Sequence, residues 1–443
     1  MVADIAVLGA GPAGLAAAVA AYRAGARVTL VDSASRVGGQ YWRHRDGDDG
    51  RGHHLWPTLL TLRDTPLDLR SGHQIWHVER TGAGFTIHTS AGEIRAGKVI
   101  VATGAYDRQL PFPGWTLPGV YTAGGAQALL KGHGVVVGRR VVVAGTGPFL
   151  LPVAAGLAEA GARVAVFEAG SPLGFARHPG AVARNLGKLV EGAGYLRVLR
   201  RHRIPFHTRK TVVAAHGDDQ VRAVTVATLD SAWHVVDRRE IECDAVAVGY
   251  GFTPQLDIPL QLGCDTHLDV DGSLVATADD HQRASAPGVY LAGEVCGVGG
   301  AQLSLVEGEL AGLHAAGGTP GTRLPRRRDT LRAFAAAMHR VYPVQPGWQT
   351  WLDDDTQVCR CEEVPLHVIR ESIVELGATD PRAVKLFSRA GMGWCQGRVC
   401  GFATACLAAR DRSVTAHDLL GLAARPIAQP VTLGSLAQFM EEG

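Results

Sequence analysis

Residues 5–33 read IAVLGAGPAGLAAAVAAYRAGARVTLVDS. An apolar run, Ile5 to Leu8, ends on Gly9-Ala10-Gly11-Pro12-Ala13-Gly14; an alanine-rich stretch follows, and a second apolar run closes on Asp32. The pattern predicts strand, tight turn, helix, strand. The three glycines stand at G-x-G-x-x-G spacing, and each answers a separate demand. Gly9 permits the turn, Gly11 lets backbone approach a pyrophosphate, and Gly14 allows close packing of the helix. The helix N-terminus, opening on Pro12 and Ala13, then faces the phosphate charge. Asp32 is placed to take the hydroxyls of an adenosine ribose. The segment is a dinucleotide site.

A second copy begins near Arg140, RRVVVAGTGPFLLPVAAGLAEAGARVAVFEAG, about 135 residues after the first. Gly145 and Gly147 are present, but Leu150 occupies the third glycine position, where a bulky side chain should push the helix from the strand. Glu168 closes the next strand; it could hold a ribose 2′-hydroxyl and would repel a 2′-phosphate. NADP is thereby disfavoured. NAD, another adenine nucleotide and an empty structural copy remain open.

With 443 residues the chain is long enough for two or three domains. A 46% hydrophobic and 19% charged composition is that of an ordinary globular protein. A net charge of +2 gives no case for nucleic acid as a partner. The basic runs Arg200–Arg203 and Arg326–Arg328 read as solvated faces or linkers. No apolar run reaches membrane-span length, and no charged leader precedes the first strand. The expected compartment is the reducing cytoplasm, with peripheral docking to a membrane left open.

Near the C-terminal end stand Cys359 and Cys361 in CRCEEV, then Cys395 and Cys400 in GMGWCQGRVC. Four thiolates from two tight turns suit a [2Fe-2S] cluster, in which each iron takes two protein sulfurs. Glycines 391, 393, 397 and 401 let backbone amides approach those sulfurs. Tetrahedral zinc could use the same set. Cys243, Cys264, Cys296 and Cys406 lie in apolar or glycine-rich surroundings and read as buried thiols. His44, His53 and His54 read as a polar loop and His133 as a loop histidine. No general acid or base is assigned.

Taken in order, G9-x-G11-x-x-G14, V37-G38-G39-Q40, A102-T103-G104 and G288-V289-Y290-L291-A292-G293-E294 resemble the two-dinucleotide-domain flavoproteins of the glutathione-reductase and thioredoxin-reductase type. The resemblance implies an α/β fold of two Rossmann-like domains. FAD would be held by Gly9, Gly11, Pro12, Ala13, Gly14, Asp32, Gly39, Gln40, Thr103, Gly104, Gly293, Glu294, Ala301, Gln302 and Leu303. Glu294 stands where that family has Asp at the flavin ribityl chain, and the helix from Ala301 to Leu303 aims at the flavin pyrimidine. Disulfide-reductase chemistry is excluded, because GGQYWRHRDG holds no cysteine pair and the second unit holds only Cys243.

GGQYWR, ATGAYDRQLPFPGWTLPGV, AGGAQALLK, AGTGPFLLPVA, VGYGFTP and the cysteine pairs resemble more closely the FAD-containing alpha (A) subunits of heteromeric opine oxidases, with the related D-hydroxyproline and proline dehydrogenases and hydrogen cyanide synthases. The last segment is similar to bacterioferritin-associated-ferredoxin [2Fe-2S] domains. The resemblance implies, as partner, a second flavin-containing catalytic (beta) subunit, and leaves room for a small third, ferredoxin-like one. Expected domains are residues 1–115 with 251–320 for FAD, 116–250 for the second nucleotide unit, 321–350 as linker and helix, and 351–425 as a small α-rich cluster domain. Gly317–Arg328 reads as linker, and 426–443 as an extended surface tail. Two further readings stay open: an NADH-dependent ferredoxin-type reductase, and a non-enzymatic assembly protein that binds nucleotide and zinc.

Overall fold

Strand Ala3–Leu8 lies inside a seven-stranded sheet, flanked in parallel by Val28–Asp32 and Gly92–Val101. Its apolar alternation is absent because both faces are covered: Ile5 to Leu8 are all buried. In the computed structural model, which describes residues 2–50, 55–82, 84–410, 412–434 and 436–437, that sheet runs outward to Asp68–Ser71 on one side. On the other side Gly84–Thr89 and Ile75–Thr81 add an antiparallel edge. Strand Val289–Leu291 returns from far along the chain to pair with Val99 to Val101.

The second unit builds a five-stranded parallel sheet in the order Phe206–Thr208, Arg163–Glu168, Arg140–Gly145, Ala245–Gly249, Val120–Thr122. A three-stranded antiparallel layer, Lys210–His216, Ala223–Leu229 and Val235–Glu242, packs beside it. Leu150 does not force its helix away from this sheet. It opens helix Leu150–Glu159 and is fully buried, and the residue facing it is Gly249, where a Cβ would stand 3.3 Å from Leu150 Cδ2. The missing glycine on the helix is offset by a glycine on the strand.

The second half of the stretch expected as a linker, Gly317–Arg328, is helical. Helix Arg323–Val341 takes in the Arg326–Arg328 run, with Pro325 in its first turn, where no intrahelical N–H is needed. Leu331 of this helix packs on Leu303, Val306 and Leu310. The tail also departs from expectation. Ala428 is buried and its amide donates to the Trp76 carbonyl at 2.7 Å, and a short helical turn follows near Leu436.

The C-terminal segment is a small α-rich unit. Hairpin strands Gln357–Cys359 and Val364–Pro365 precede helices Leu366–Val374, Pro381–Ser388, Gly401–Ala409 and Ala416–Ala423. Asp380 caps the second helix by accepting from Arg382 and Ala383 amides, and Thr415 with Asp418 forms a capping box on the fourth. This unit is not an appendage. Trp348, Ile369 and Ala403 share one apolar core with Trp115, Val224 and Tyr250, while Ala405 and Leu422 share another with Phe85 and Ile258. Among the described residues no helix is long and apolar enough to cross a membrane.

Candidate functional site

Two helices are held side by side, running the same way, by glycines. Helix Pro12–Arg23 packs on helix Ala301–Ala315 so closely that a Cβ at Gly308 would meet the Ala13 carbonyl oxygen at 2.1 Å, and one at Gly312 the Ala17 oxygen at 2.1 Å. Neither helix has an acidic residue in its first turn or a side-chain cap, so their leading amides face outward.

Around them lie the expected dinucleotide residues. Gly9 takes φ +107°, and Gly14 sits where a Cβ would strike the Gly9 oxygen at 1.7 Å. Gly11 differs: its φ is −75°, and the nearest atom to an added Cβ is Gly39 Cα at 3.9 Å. The fold itself therefore does not require glycine at 11. The space beside it is the kind a pyrophosphate would fill. Gly39 approaches from the facing loop, and Gln40 is exposed, accepting from Arg43 at 3.0 Å. Asp32 accepts from the Ala10 and Ala34 amides, and burial holds its carboxyl above the usual range. The donor set and the open cradle fit the ADP half of FAD.

Next to Gly9, the Thr103 hydroxyl donates to the Gln255 carbonyl at 3.0 Å, and the Gln255 amide to the Gly104 carbonyl at 2.9 Å. Gly293 has φ +78° and packs on Ala13. Glu294 follows in the short helix Gly293–Cys296, its carboxyl raised to about 7 by burial. Ala301, Gln302 and Leu303 form the first turn of the second helix. Sequence reasoning missed what braces this corner: fully buried Glu307 accepts from the Gly293 amide at 3.1 Å and pairs with Arg332. Only the i to i+4 glycines, Gly308 and Gly312, signalled the close helix pair. Cys296 behaves as an inert thiol, its ionisation pushed far up by burial.

In the second unit Gly145 takes φ +134° with a Cβ barred by the Gly249 oxygen, and the space beside Gly147 is open. Glu168 is engaged inside the protein: it accepts from Thr146 Oγ1 at 2.8 Å, Gly147 N at 2.9 Å and Gly170 N at 2.7 Å. It is 3% exposed, and burial raises its carboxyl to about 7. His44 Nδ1–H donates to the Trp42 carbonyl at 2.7 Å and the ring stacks edge-on with Trp56, while His53 and His54 lie outside the described residues. His133 ends helix Ala123–His133.

The cysteine loops meet across the hairpin. Cys359 and Cys400 are buried, Cys361 is exposed, and Cys395 lies between these extremes. All four thiols lie near enough to influence one another's ionisation, Cys359 beside Cys400 and Cys361 beside Cys395. The Cys400 thiol donates to Cys359 and holds it down at about 6, with amides of Gly391, Glu362 and Cys361 adding to the effect. Gly391 N stands 3.4 Å from Cys359 Sγ, and a Cβ at Gly393 would lie 2.4 Å from Cys361 Cβ. Cys400 is also the N-cap of helix Gly401–Ala409, whose dipole favours negative charge there. Four thiols supplied by two loops suit a [2Fe-2S] cluster, in which each iron takes two protein sulfurs.

Comparison with known proteins agrees with both halves of this geometry. Residues 3–317 match the pyridine nucleotide-disulphide oxidoreductase family, and residues 357–407 match the BFD-like [2Fe-2S] binding domain. These define an oxidoreductase with thioredoxin-reductase-like dinucleotide domains and a ferredoxin-like C-terminal module. The A subunit of opine oxidase from Rhizobium meliloti (strain 1021) is 34% identical over 99% of both chains. Hydrogen cyanide synthase subunit HcnB of Pseudomonas aeruginosa is 34% identical over 89% of this chain and 90% of its own. The chain belongs to the family of these oxidoreductase subunits. The crystal structure of L-proline dehydrogenase from P. horikoshii shares the fold over 98% of this chain and 79% of that one, with a TM-score of 0.72 at 22% identity.

Proposed function

We propose that this chain is the electron-transferring subunit of a heteromeric dehydrogenase or oxidase acting on CH–NH donors. A partner flavin subunit oxidises an opine, D-hydroxyproline, proline or a similar amino or imino acid to the C=N level, releasing two electrons. Residues of the first cradle hold FAD, which takes electrons as a pair and passes them singly, and the four cysteines hold a carrier that moves one at a time. The observation that carries this reading is a glycine-lined cradle and a four-cysteine site joined through shared apolar cores in one polypeptide. The names of the related subunits supply the substrate class and the expectation of partners.

Gly9, Gly11, Gly14, Asp32 and the Thr103–Gly104 turn position the cofactor, Glu307 and Arg332 brace Gly293, and Glu294 faces the ribityl region. Glu168 accepts from backbone amides as Asp32 does, and the second unit is left as a site for NAD or another adenine nucleotide or as a structural copy. The test is anaerobic mixing of the purified chain with proline, D-hydroxyproline and an opine while following flavin absorbance. The expected result is no bleaching until the partner subunit is added. Rapid bleaching by the single chain overturns the relay role, and bleaching by NADH replaces it with a reductase.

A further inference from the structure

Asp257 is 5% exposed and accepts hydrogen bonds from two arginines, Arg398 at 3.0 Å and Arg425 at 2.8 Å. Both arginines are themselves largely buried, and Arg398 Nε–H has no hydrogen-bond partner. One carboxylate against two guanidiniums leaves a buried excess of one positive charge. Burial of that kind is a cost, and an apolar trio of similar volume would usually pack at least as well.

The other donors of the two arginines show what the charge is directed at. Arg398 Nη1 donates to the Cys395 carbonyl at 3.1 Å, and Arg425 Nε to the Gln396 carbonyl at 2.8 Å. Arg398 also holds the Ala428 carbonyl, which seats the tail. Both cations thus grip the loop that carries Cys395, at that residue and at the one after it. Asp257 faces the opposite way along the chain. It opens helix Asp257–Gln261, two residues after Gln255, the residue bonded to both Thr103 and Gly104. Tyr106, on the strand leaving that turn, lies close enough to feel Arg425, Asp257, Arg398 and Cys395 together.

We infer that Asp257, Arg398 and Arg425 are positioning residues for the iron–sulfur centre: their net positive charge raises its reduction potential, and their bonds fix the cysteine loop against the flavin-binding turn. Gain of one electron makes the centre more negative, so a nearby cation favours the reduced form. The triad also gives a continuous route of bonds and hydrogen bonds from Gly104 through Gln255 and Asp257 to Cys395. The inference rests on reading the four cysteines as cluster ligands.

The test is an anaerobic redox titration of the full chain, followed by the electron paramagnetic resonance signal of the reduced centre. Arg425→Gln takes the local charge to zero, and Asp257→Asn takes it to two positive units. The expected result is opposite shifts: Arg425→Gln lowers the potential and Asp257→Asn raises it. Each shift should approach tenfold in the one-electron equilibrium, about 59 mV. Shifts of the same sign, or none, overturn the inference, because loosening of the loop would move both variants alike. Should either variant lose iron, Arg425→Lys carries the test. It should keep the centre at the parent potential, and a fall there also overturns the inference. Absence of iron from the unaltered chain sinks the cluster reading itself, which iron analysis separates from the outcomes above.

Discussion

Gly308→Ala adds one methyl at the close seam between helices Pro12–Arg23 and Ala301–Ala315. An ideal Cβ there stands 2.1 Å from the Ala13 carbonyl oxygen and 2.9 Å from its carbon. Carbon–oxygen contacts between packed helices settle at about 3.3 Å, so the two helices must part by roughly 1 Å. Overpacking a built core in this way costs about 1–3 kcal/mol. At about 2–4 °C per kcal/mol for a chain segment of this size, the melting temperature should fall by about 2–12 °C. The displaced atoms belong to the first turn of the helix behind the glycine loop, so FAD occupancy should fall as well. Gly194→Ala is the control. It lies inside helix Leu186–Arg201 with no atom within 4 Å of an added Cβ, and should be neutral or stabilising by up to about 1 kcal/mol. The assay is thermal denaturation together with the ratio of flavin to protein absorbance. A Gly308→Ala chain that keeps full flavin and melts within a degree of the parent refutes the close-packing argument.

Replacing Cys359, Cys361, Cys395 or Cys400 by Ser should lower iron content while leaving flavin bound; equimolar zinc without iron in protein prepared anaerobically contradicts this. Gly11→Val should leave a folded chain that binds FAD at least tenfold more weakly, because the backbone there is unstrained and only the ligand's space is filled. Unchanged flavin content in that variant relocates the site. Glu168 has a raised folded carboxyl near 7 against an ordinary value of 4.5. Its contribution to stability is therefore complete below pH 4.5 and is lost as pH rises through 7, by up to about 3 kcal/mol. Urea unfolding of Glu168→Gln should lack that share of the decline, and identical pH profiles for parent and variant contradict it.

The fold was legible wherever function and backbone demand the same residue. Gly9 and Gly14 announce themselves because no side chain fits, and the four cysteines because few other roles use that spacing. Leu150 misled because its compensation, Gly249, lies about a hundred residues away on another strand. Helix Arg323–Val341 was read short because arginine and proline resemble a linker, although proline in a first helical turn sacrifices no hydrogen bond. The Glu307–Arg332 and Asp257–Arg398–Arg425 groups left no local pattern. Their members are ordinary charged residues until the topology buries them together, and a single sequence carries no distance between Asp257 and Arg425.

The two cores that the C-terminal unit shares with both nucleotide domains bear on how the protein is made. A ribosome delivers residues 351–428 after both nucleotide domains, and at ordinary synthesis rates that stretch takes roughly 4–16 s. Throughout that interval Trp115, Tyr250 and Phe85 belong to apolar surfaces whose covering residues, such as Ile369, Ala405 and Leu422, have yet to emerge. A nascent chain halted near residue 350 therefore carries two open greasy flanks, and premature termination should yield insoluble protein in place of a cluster-free flavoprotein. The shared cores thus tie the solubility expected of the two nucleotide domains to the presence of the ferredoxin-like module.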